Sequence, residues 1–572
     1  MSFIPHNEKI IEKKICRISG QEFFITDRDI EFYEKISPVF AGQKYLIPSP
    51  TFSPEERQRR RLSFRNERKL YHRKCDKTGN QIISMYSPDK PYMVYDQKVW
   101  WGDEWSPMDY GMKFDFDKPF FGPFWELMRV VPRINLINKE HENSEFCNFA
   151  TQNKNSYLLF TSGWCENSYY SNRCLQSRNI CDCSGTTNSE LCYEVIDSSN
   201  CFNCKWLQWC HNCSDCTYGY DLSSCKNCLG CYGLTNREFC IWNQEYTPEK
   251  YKEKIQNIGW NFSRELFNKH LMNCVRKYAN TLNSEDSTGD MMSGCHECFN
   301  CFEVNNLEKC KHISNATELK DGYDVDNDDH SELSFEVVGG ESNYQQCFCD
   351  ISWFNRDTWY SSLCFHSSSL FGCVGIKKWK NIILNTSFSQ QEYEILCGKI
   401  IDHMKSTGEW WEFFPHTLSP FGYNETVAQD YYPLSEDDIR KQGWNWKKDE
   451  EMSSYHGSYV QSKDISDYDE KIIWYEKAQE NIDALLGWLL QCSVTNRPYK
   501  IIRQELAFYI ENSIQIPTKH PDIRHTERLS QRNQRKLYER KCDTCGKDIQ
   551  TTYSPERKEK IACSECYKKL VY

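Results

Sequence analysis

Cysteines keep time along the middle of this chain: Cys165, Cys174, Cys183, Cys192, Cys201 and Cys210 stand nine residues apart, and the pattern Asn-(Ser/Cys)-x-x-Cys recurs as NSEFC, NSELC, NCFNC, NCSDC and NCLGC. That spacing does not hold a side chain on one helix face, least of all in segments rich in Asn, Ser, Gly and aromatic or β-branched residues. It fits the short strands and turns of a β-solenoid, which stacks small residues inward and lets Asn side chains satisfy backbone groups at tight corners. Cys295, Cys298, Cys301, Cys310, Cys364 and Cys373 repeat the arrangement more loosely, so residues from about 143 to 390 are expected to form two solenoid blocks.

Self-comparison supports two blocks and adds a pair of outer modules. Cys231 to Tyr251 corresponds to Cys373 to Tyr393, with Ile241/Ile383 and Asn243/Asn385 in register. Both stretches run into a short helix opened by a capping residue, Thr247 before Pro248 in one and Ser389 with Glu392 in the other. Outside them, Arg57 to Gly79 matches Arg524 to Gly546 at roughly two-thirds identity, Cys16 to Tyr33 matches Cys492 to Tyr509, and YSP recurs at Tyr86 and Tyr553. The expected fold is mainly β: a central two-block parallel β-solenoid (β-helix) flanked by duplicated small α+β zinc-ribbon-like modules. The divisions are a degenerate module at 1–112, solenoid blocks with terminal helices at 135–260 and 290–405, an α+β connector at 406–485, and a zinc-binding module at 490–572.

The sharpest chemical motif is Cys542-x2-Cys545, seventeen residues, then Cys563-x2-Cys566. Two such pairs supply the tetrahedral thiolate cage that Zn²⁺ prefers, and a filled cage leaves no position for catalysis, so one structural zinc is expected. The amino-terminal copy has Cys75, Thr78, Asp96 and Val99 at the matching positions, which cannot form that cage, and the aromatic run Tyr92, Tyr95, Trp100, Trp101 and Trp105 is expected to pad its core instead. Cys16 and Cys492, with Ser19 and Thr495 where a partner thiol would stand, read as packing residues.

Each knuckle is preceded by a basic segment. Arg57, Arg61, Arg65 and Arg68 fall on one face of a helix opened by Ser53-Pro54-Glu55-Glu56, and Arg524, Arg528, Arg532 and Arg535 repeat the stripe. Guanidinium groups spaced about 6 Å apart beside a zinc knuckle suit the phosphates of RNA or DNA, and the ribosome is one such partner. The same arginines could instead dock the modules onto an acidic solenoid, and the sequence leaves both readings open. Exposed arginines would mark the first, and arginines bonded to Asp and Glu the second.

The CxxC pairs Cys201/Cys204, Cys213/Cys216, Cys228/Cys231 and Cys298/Cys301 offer either further metal ligands or an inward ladder of small buried residues, and the periodicity favours the ladder. Asp321 to Asp329 resembles a calcium loop but has Asp329 where the sharp turn needs Gly and Phe335 at the twelfth position, so a solvated acidic loop is expected. No G-x-S-x-G, P-loop, H-E-x-x-H or deaminase signature is present.

With 32 cysteines, a secreted chain would imply a disulfide framework, but Met1 to Cys16 is charged throughout and no long uncharged apolar stretch exists. Reduced thiols, a cytoplasmic location and no membrane association are expected. The net charge of −11 is uneven, with acid concentrated in the body and basic residues near the ends.

The segments RNERKLYHRKCDKTG, YSPDKPYMVYDQKVWWGDEW, SPFGYNETVAQDYYPL at Ser419 to Leu434, and RNQRKLYERKCDTCGKDIQTTYSPER resemble a family of uncharacterised cysteine-rich zinc-ribbon and repeat proteins encoded by bacteria of the candidate phyla. The resemblance covers nearly the whole chain and implies the same domain order, but it brings no function. The expectation is a zinc-containing repeat protein that binds nucleic acid through its arginine stripes. A scaffold offering a solenoid face to a protein partner, and an enzyme of unknown substrate, are the alternatives.

Overall fold

A computed structural model describes residues 8–258, 263–448, 459–460, 486 and 489–571. The chain is mainly β, with two parallel solenoid blocks at its centre and mixed helix-and-strand modules at its flanks. Backbone bridges join residues twelve apart, as in Glu142 to Lys154 to Glu166 to Arg178, so the coil is twelve residues long. The nine-residue beat of the cysteines has a different origin. Inward positions recur at every third residue, and Cys147, Ala150, Asn153, Ser156, Leu159, Ser162 and Cys165 are all buried. Four such steps make one coil, and a spacing of nine moves a cysteine back by one step per coil.

The residue before most inward positions is left-handed: Phe149, Gln152, Asn155, Leu158 and Thr161 have φ of 48° to 53°. This conformation is costly for most side chains and tolerated best by Asn and Asp, which is why Asn143, Asn167, Asn179, Asn188 and Asn200 occupy such positions. The motif Asn-(Ser/Cys)-x-x-Cys is therefore one left-handed corner followed by two consecutive inward sites. Asn143 Nδ2 donates to Asn155 Oδ1 on the next coil at 3.0 Å, and Asn200 repeats the bond to Asn212 at 3.0 Å.

Small polar groups suit so narrow an interior because each can bond backbone that the coil leaves over. Ser162 Oγ accepts from Cys174 N at 3.0 Å and donates to Phe160 O at 2.9 Å. Cys183 Sγ lies 3.5 Å from Cys181 O and 3.6 Å from Cys192 O.

In the second block Lys320–Asp329, Glu332–Glu341 and Tyr344–Trp353 stack in parallel register. Its first coil is one residue shorter, Thr281 pairing with Met292. The register slips at Gly289, whose φ is +151° and where a Cβ would lie 1.8 Å from Cys301 O. The acidic run Asp321 to Asp329, expected as a solvated loop, is instead part of a strand whose Asp324, Asp326 and Asp328 are completely buried. Charge alone suggested solvent, but basic partners far away in sequence cover this strand. The blocks end in the helices Pro248–Ile258 and Gln390–Thr407, the second opened by the Ser389/Glu392 capping box.

The outer modules cross over the blocks. Val94–Tyr95 of the first module pairs with Arg133–Ile134, which leads into the first block, while its helix Pro54–Leu62 packs on Lys320–Asp329 and Glu332–Glu341 of the second. Lys560–Ala562 of the last module pairs with Val275–Lys277, which leads into the second block, while its helix Pro521–Ser530 anchors on the first through Arg524 and Arg528. Each module thus ties both blocks together. The two modules also touch, through Lys69 to Asp522 at 2.6 Å and Lys536 to Glu55 at 2.9 Å.

The Ser419 to Leu434 patch wedges into this junction. Ser419 Oγ donates to Ser63 O at 2.7 Å, Val427 N to Arg65 O at 3.0 Å, and Tyr431 lies under Arg535 at 3.8 Å. Of the expected connector, residues 449–458 and 461–485 lie outside the described residues. Among the described residues no helix is long and apolar enough to cross a membrane.

Candidate functional site

Cys542, Cys545, Cys563 and Cys566 converge, their sulfur atoms all within 4.8 Å of one another. Cys545 Sγ and Cys563 Sγ are 3.8 Å apart, close to the ~3.8 Å edge of a tetrahedron with metal–sulfur bonds of ~2.3 Å. The first pair sits on the turn after Tyr538–Lys541 and the second where Lys560–Ala562 runs into the helix Ser564–Val571. Burial pushes the Cys542 thiol up, but the amides of Cys563, Cys545 and Thr544 outweigh it and hold the group down to about 6. A thiol so placed is ionised near neutral pH, as a metal ligand must be. The four thiols can hold a metal ion.

The same knuckle occurs four times. Cys542 N donates to Lys547 O at 2.8 Å and Gly546 N to Cys542 O at 2.8 Å, and Cys75 with Asn80 and Gly79 repeats both distances. Cys16 with Gln21 and Gly20, and Cys492 with Arg497 and Asn496, form the turn again with bonds of 2.8 to 3.0 Å. Where Cys563 N donates to Cys542 Sγ at 3.3 Å, Asp96 N donates to Cys75 Sγ at 3.3 Å. The backbone of the metal knuckle therefore persists where Thr78, Asp96 and Val99 replace its ligands. Cys16 and Cys492 are buried in apolar clusters.

The arginines point inward. Helix geometry ends at Leu62 and Ser530, so Arg65, Arg68, Arg532 and Arg535 belong to the turns that follow rather than to a continuous helical stripe. Arg57 meets Asp324 at 2.7 Å, and Arg61 meets Asp326 at 3.0 Å and Glu336 at 3.1 Å. Arg65 pairs with Glu67 at 2.5 Å over the Phe149 ring, and Arg68 lies over Phe160, 3.7 Å from Asp522.

In the other copy Arg524 and Arg528 share Asp182, the latter at 2.6 Å; Arg532 bridges Asp197 at 2.7 Å and Glu303 at 2.8 Å; Arg535 reaches Glu303 at 2.6 Å. No side chain of the eight is more than 12% exposed. Burial works against the Glu303 carboxylate, but Arg173, Arg532 and Arg535 hold its pKa well below the usual carboxylate range. Guanidinium groups enclosed this way bind carboxylates of their own chain and do not form a surface for phosphate. The sequence showed the stripes but could not show that Asp182, Asp197 and Glu303 would meet them.

The solenoid CxxC thiols are buried and donate to backbone carbonyls, Cys204 to Phe202 O at 3.3 Å and Cys216 to Ser214 O at 3.3 Å. Among the described residues only the C-terminal quartet gathers as a metal-sized group. Outside the CxxC pairs, burial drives Cys165 up to about 11 and Cys174 up to about 12, so these two thiols remain protonated.

Sequence reading missed a cleft of ≈ 530 Å³ between the blocks. One wall stacks Thr151, Gly163, Leu175 and Thr187 from successive coils, and the other stacks Asn305, Thr317, Asp329, Glu341 and Trp353. The Arg173, Asp197 and Glu303 network lines it as well. The signal that could have found it is a twelve-residue alignment of each block, which puts each wall in one column.

No protein-family model matches this chain, and none of the curated proteins is similar to it. What fold and site define is a β-solenoid protein with a four-cysteine group able to hold a metal ion.

Proposed function

We propose that the chain is a binding scaffold, stapled by one structural zinc, that offers the cleft between its solenoid blocks to a basic segment of a protein partner. The observation that carries this reading is the inward engagement of all eight arginines, which locks the modules across both blocks and leaves no arginine row for nucleic acid. Zinc is assigned because an all-thiolate tetrahedral quartet on two knuckles suits that ion. Asp329 and Glu341, adjacent on one wall, repel phosphates and attract Lys or Arg.

The test is purification at low salt, followed by a salt series, comparing the native protein with Arg528→Ala/Arg532→Ala/Arg535→Ala. The expected result is protein free of nucleic acid and a variant that is markedly less stable. Retained RNA that leaves with a steep salt slope and is lost in the variant would overturn the scaffold reading in favour of RNA or ribosome binding. Binding of labelled basic decapeptides, weakened by Asp329→Asn/Glu341→Gln, then locates the partner in the cleft.

A further inference from the structure

A second cavity, of ≈ 220 Å³, lies where the first block, the helix Arg264–Leu271 and the last module meet. Its walls are aromatic: Trp206 and Tyr218 stack at 4.6 Å and 8°, and Trp209, Tyr220 and Tyr553 continue the surface. Two buried donors line it without a partner. Arg276 is 6% exposed and Trp209 7% exposed, and neither Arg276 Nη1 nor Trp209 Nε1 makes a hydrogen bond. Arg276 lies 3.7 Å over the Tyr220 ring and donates from Nη2 to Leu271 O at 3.4 Å.

The carboxylates of the cavity are engaged elsewhere, Glu194 by Arg264 and Glu559 by Arg557. Among the described residues, no carboxylate forms an ion pair with Arg276. Glu559 and Asp221 act on Arg276 only from beyond ion-pair contact. A buried guanidinium with no carboxylate in contact and a buried indole N–H without an acceptor are each costly, and an oxyanion reaching both would relieve them.

The duplication supplies a comparison. Arg133 holds in the first half the place of Arg276, pairing beside Val94 as Arg276 pairs beside Ile561. Eight residues before Arg133 stands Trp125, packed against Tyr92, whose ring lies 4.9 Å from the Arg133 guanidinium. Eight residues before Arg276 stands Asn268, which lines the cavity. The smaller side chain leaves open in the second half the kind of space that an indole occupies in the first.

We propose that this cavity binds a small aromatic carboxylate, its oxygens on Arg276 Nη1 and Trp209 Nε1 and its ring among Trp206, Tyr218 and Tyr220. The proposal is independent of what occupies the cleft between the blocks. It is tested by saturation-transfer NMR on the full chain with benzoate and indole-3-acetate, each against its primary amide, at up to about 5 mM. The carboxylates are expected to bind at least about tenfold more tightly than the amides. Asn268→Trp, which fills the cavity and keeps the charge, is expected to abolish binding, and Arg276→Gln to reduce the carboxylates to the level of the amides. No transfer to either carboxylate, equal binding of carboxylate and amide, or undiminished binding in a folded Asn268→Trp protein would each overturn it. Should a variant fail to fold, the amide comparison on the native protein decides alone.

Discussion

Asp328 shows how much the solenoid interior constrains a single side chain. It occupies an inward position, is completely buried, and accepts from Ser331 Oγ at 2.6 Å and Gln346 Nε2 at 3.1 Å, while Gln346 Oε1 beside it has no partner. Burial drives its carboxyl up to about 7, against the lowering effect of those bonds. Below about pH 4 the folded and unfolded chains both hold the proton, so no penalty arises. Between about pH 4 and pH 7 the unfolded chain ionises freely while the folded one must keep the proton or bury a charge, and stability falls. The loss attributable to this residue by pH 8 is on the order of 2–4 kcal/mol. Asp328→Asn is expected to restore most of it at pH 8 and little at pH 4, read as the difference in denaturant midpoints at the two values. Equal effects at both pH values would remove the residue from the pH dependence. The arginines give the opposite kind of prediction. Arg528→Ala leaves the Asp182 carboxylate, which is 0% exposed, to Arg524 alone and should cost about 2–3 kcal/mol, whereas changing an exposed surface cation such as Lys441 should cost almost nothing.

At the scale of the element, the solenoid was legible in outline and not in period. Cysteines nine apart imply a β-coil, but nine is three of its four steps, and the count becomes clear only once Ser, Thr, Asn and Leu are recognised as occupants of the same inward column. The corners were harder still, because left-handed positions accept Trp164, Glu194 and Leu191 as well as Asn, so composition marks only some of them. The four-cysteine group was legible because all four thiols lie within one short module. The arginine rows were visible as rows, yet their partners Asp182, Glu303 and Asp324 are hundreds of residues distant, and local charge cannot reveal which surface closes over another. The ladder reading makes its own prediction. Cys216→Ser keeps a donor for the Ser214 carbonyl and matches the Ser already found at Ser162 and Ser168, so it should cost less than about 1 kcal/mol. Cys216→Val removes the donor, adds bulk and should cost about 1–3 kcal/mol, measured by chemical denaturation. If both variants lost bound metal instead, the column would be a ligand set.

At the scale of the whole molecule, the crossed modules turn two stacks of coils into one body, and among the described residues only one of the two clamps has a four-cysteine group able to hold a metal ion. The first module keeps the knuckle at Cys75 through backbone bonds beside an aromatic core containing Trp100, Tyr86 and Tyr92, with Thr78, Asp96 and Val99 where the other thiols would stand. The last module has its quartet where Lys560–Ala562 leads into the helix Ser564–Val571, and through these elements it holds both Val275–Lys277 and, by Tyr567 to Asp221, the first block. Stripping the ion from four thiolates leaves like charges crowded within 4.8 Å of one another, and binding energy lent to folding is withdrawn. Chelation, or Cys566→Ser, is therefore expected to loosen the last module first, exposing 489–571 to protease while 8–112 and the solenoid coils stay resistant. The protein as isolated should carry about one zinc per chain, measured by elemental analysis, because among the described residues no other thiols gather at metal-binding distance. Loosening this clamp should also open the cavity at Arg276, since Tyr553 and Arg557 of the same module form part of its lining. Simultaneous collapse of both modules on chelation would mean that the molecule has one clamp in two pieces rather than two that act separately.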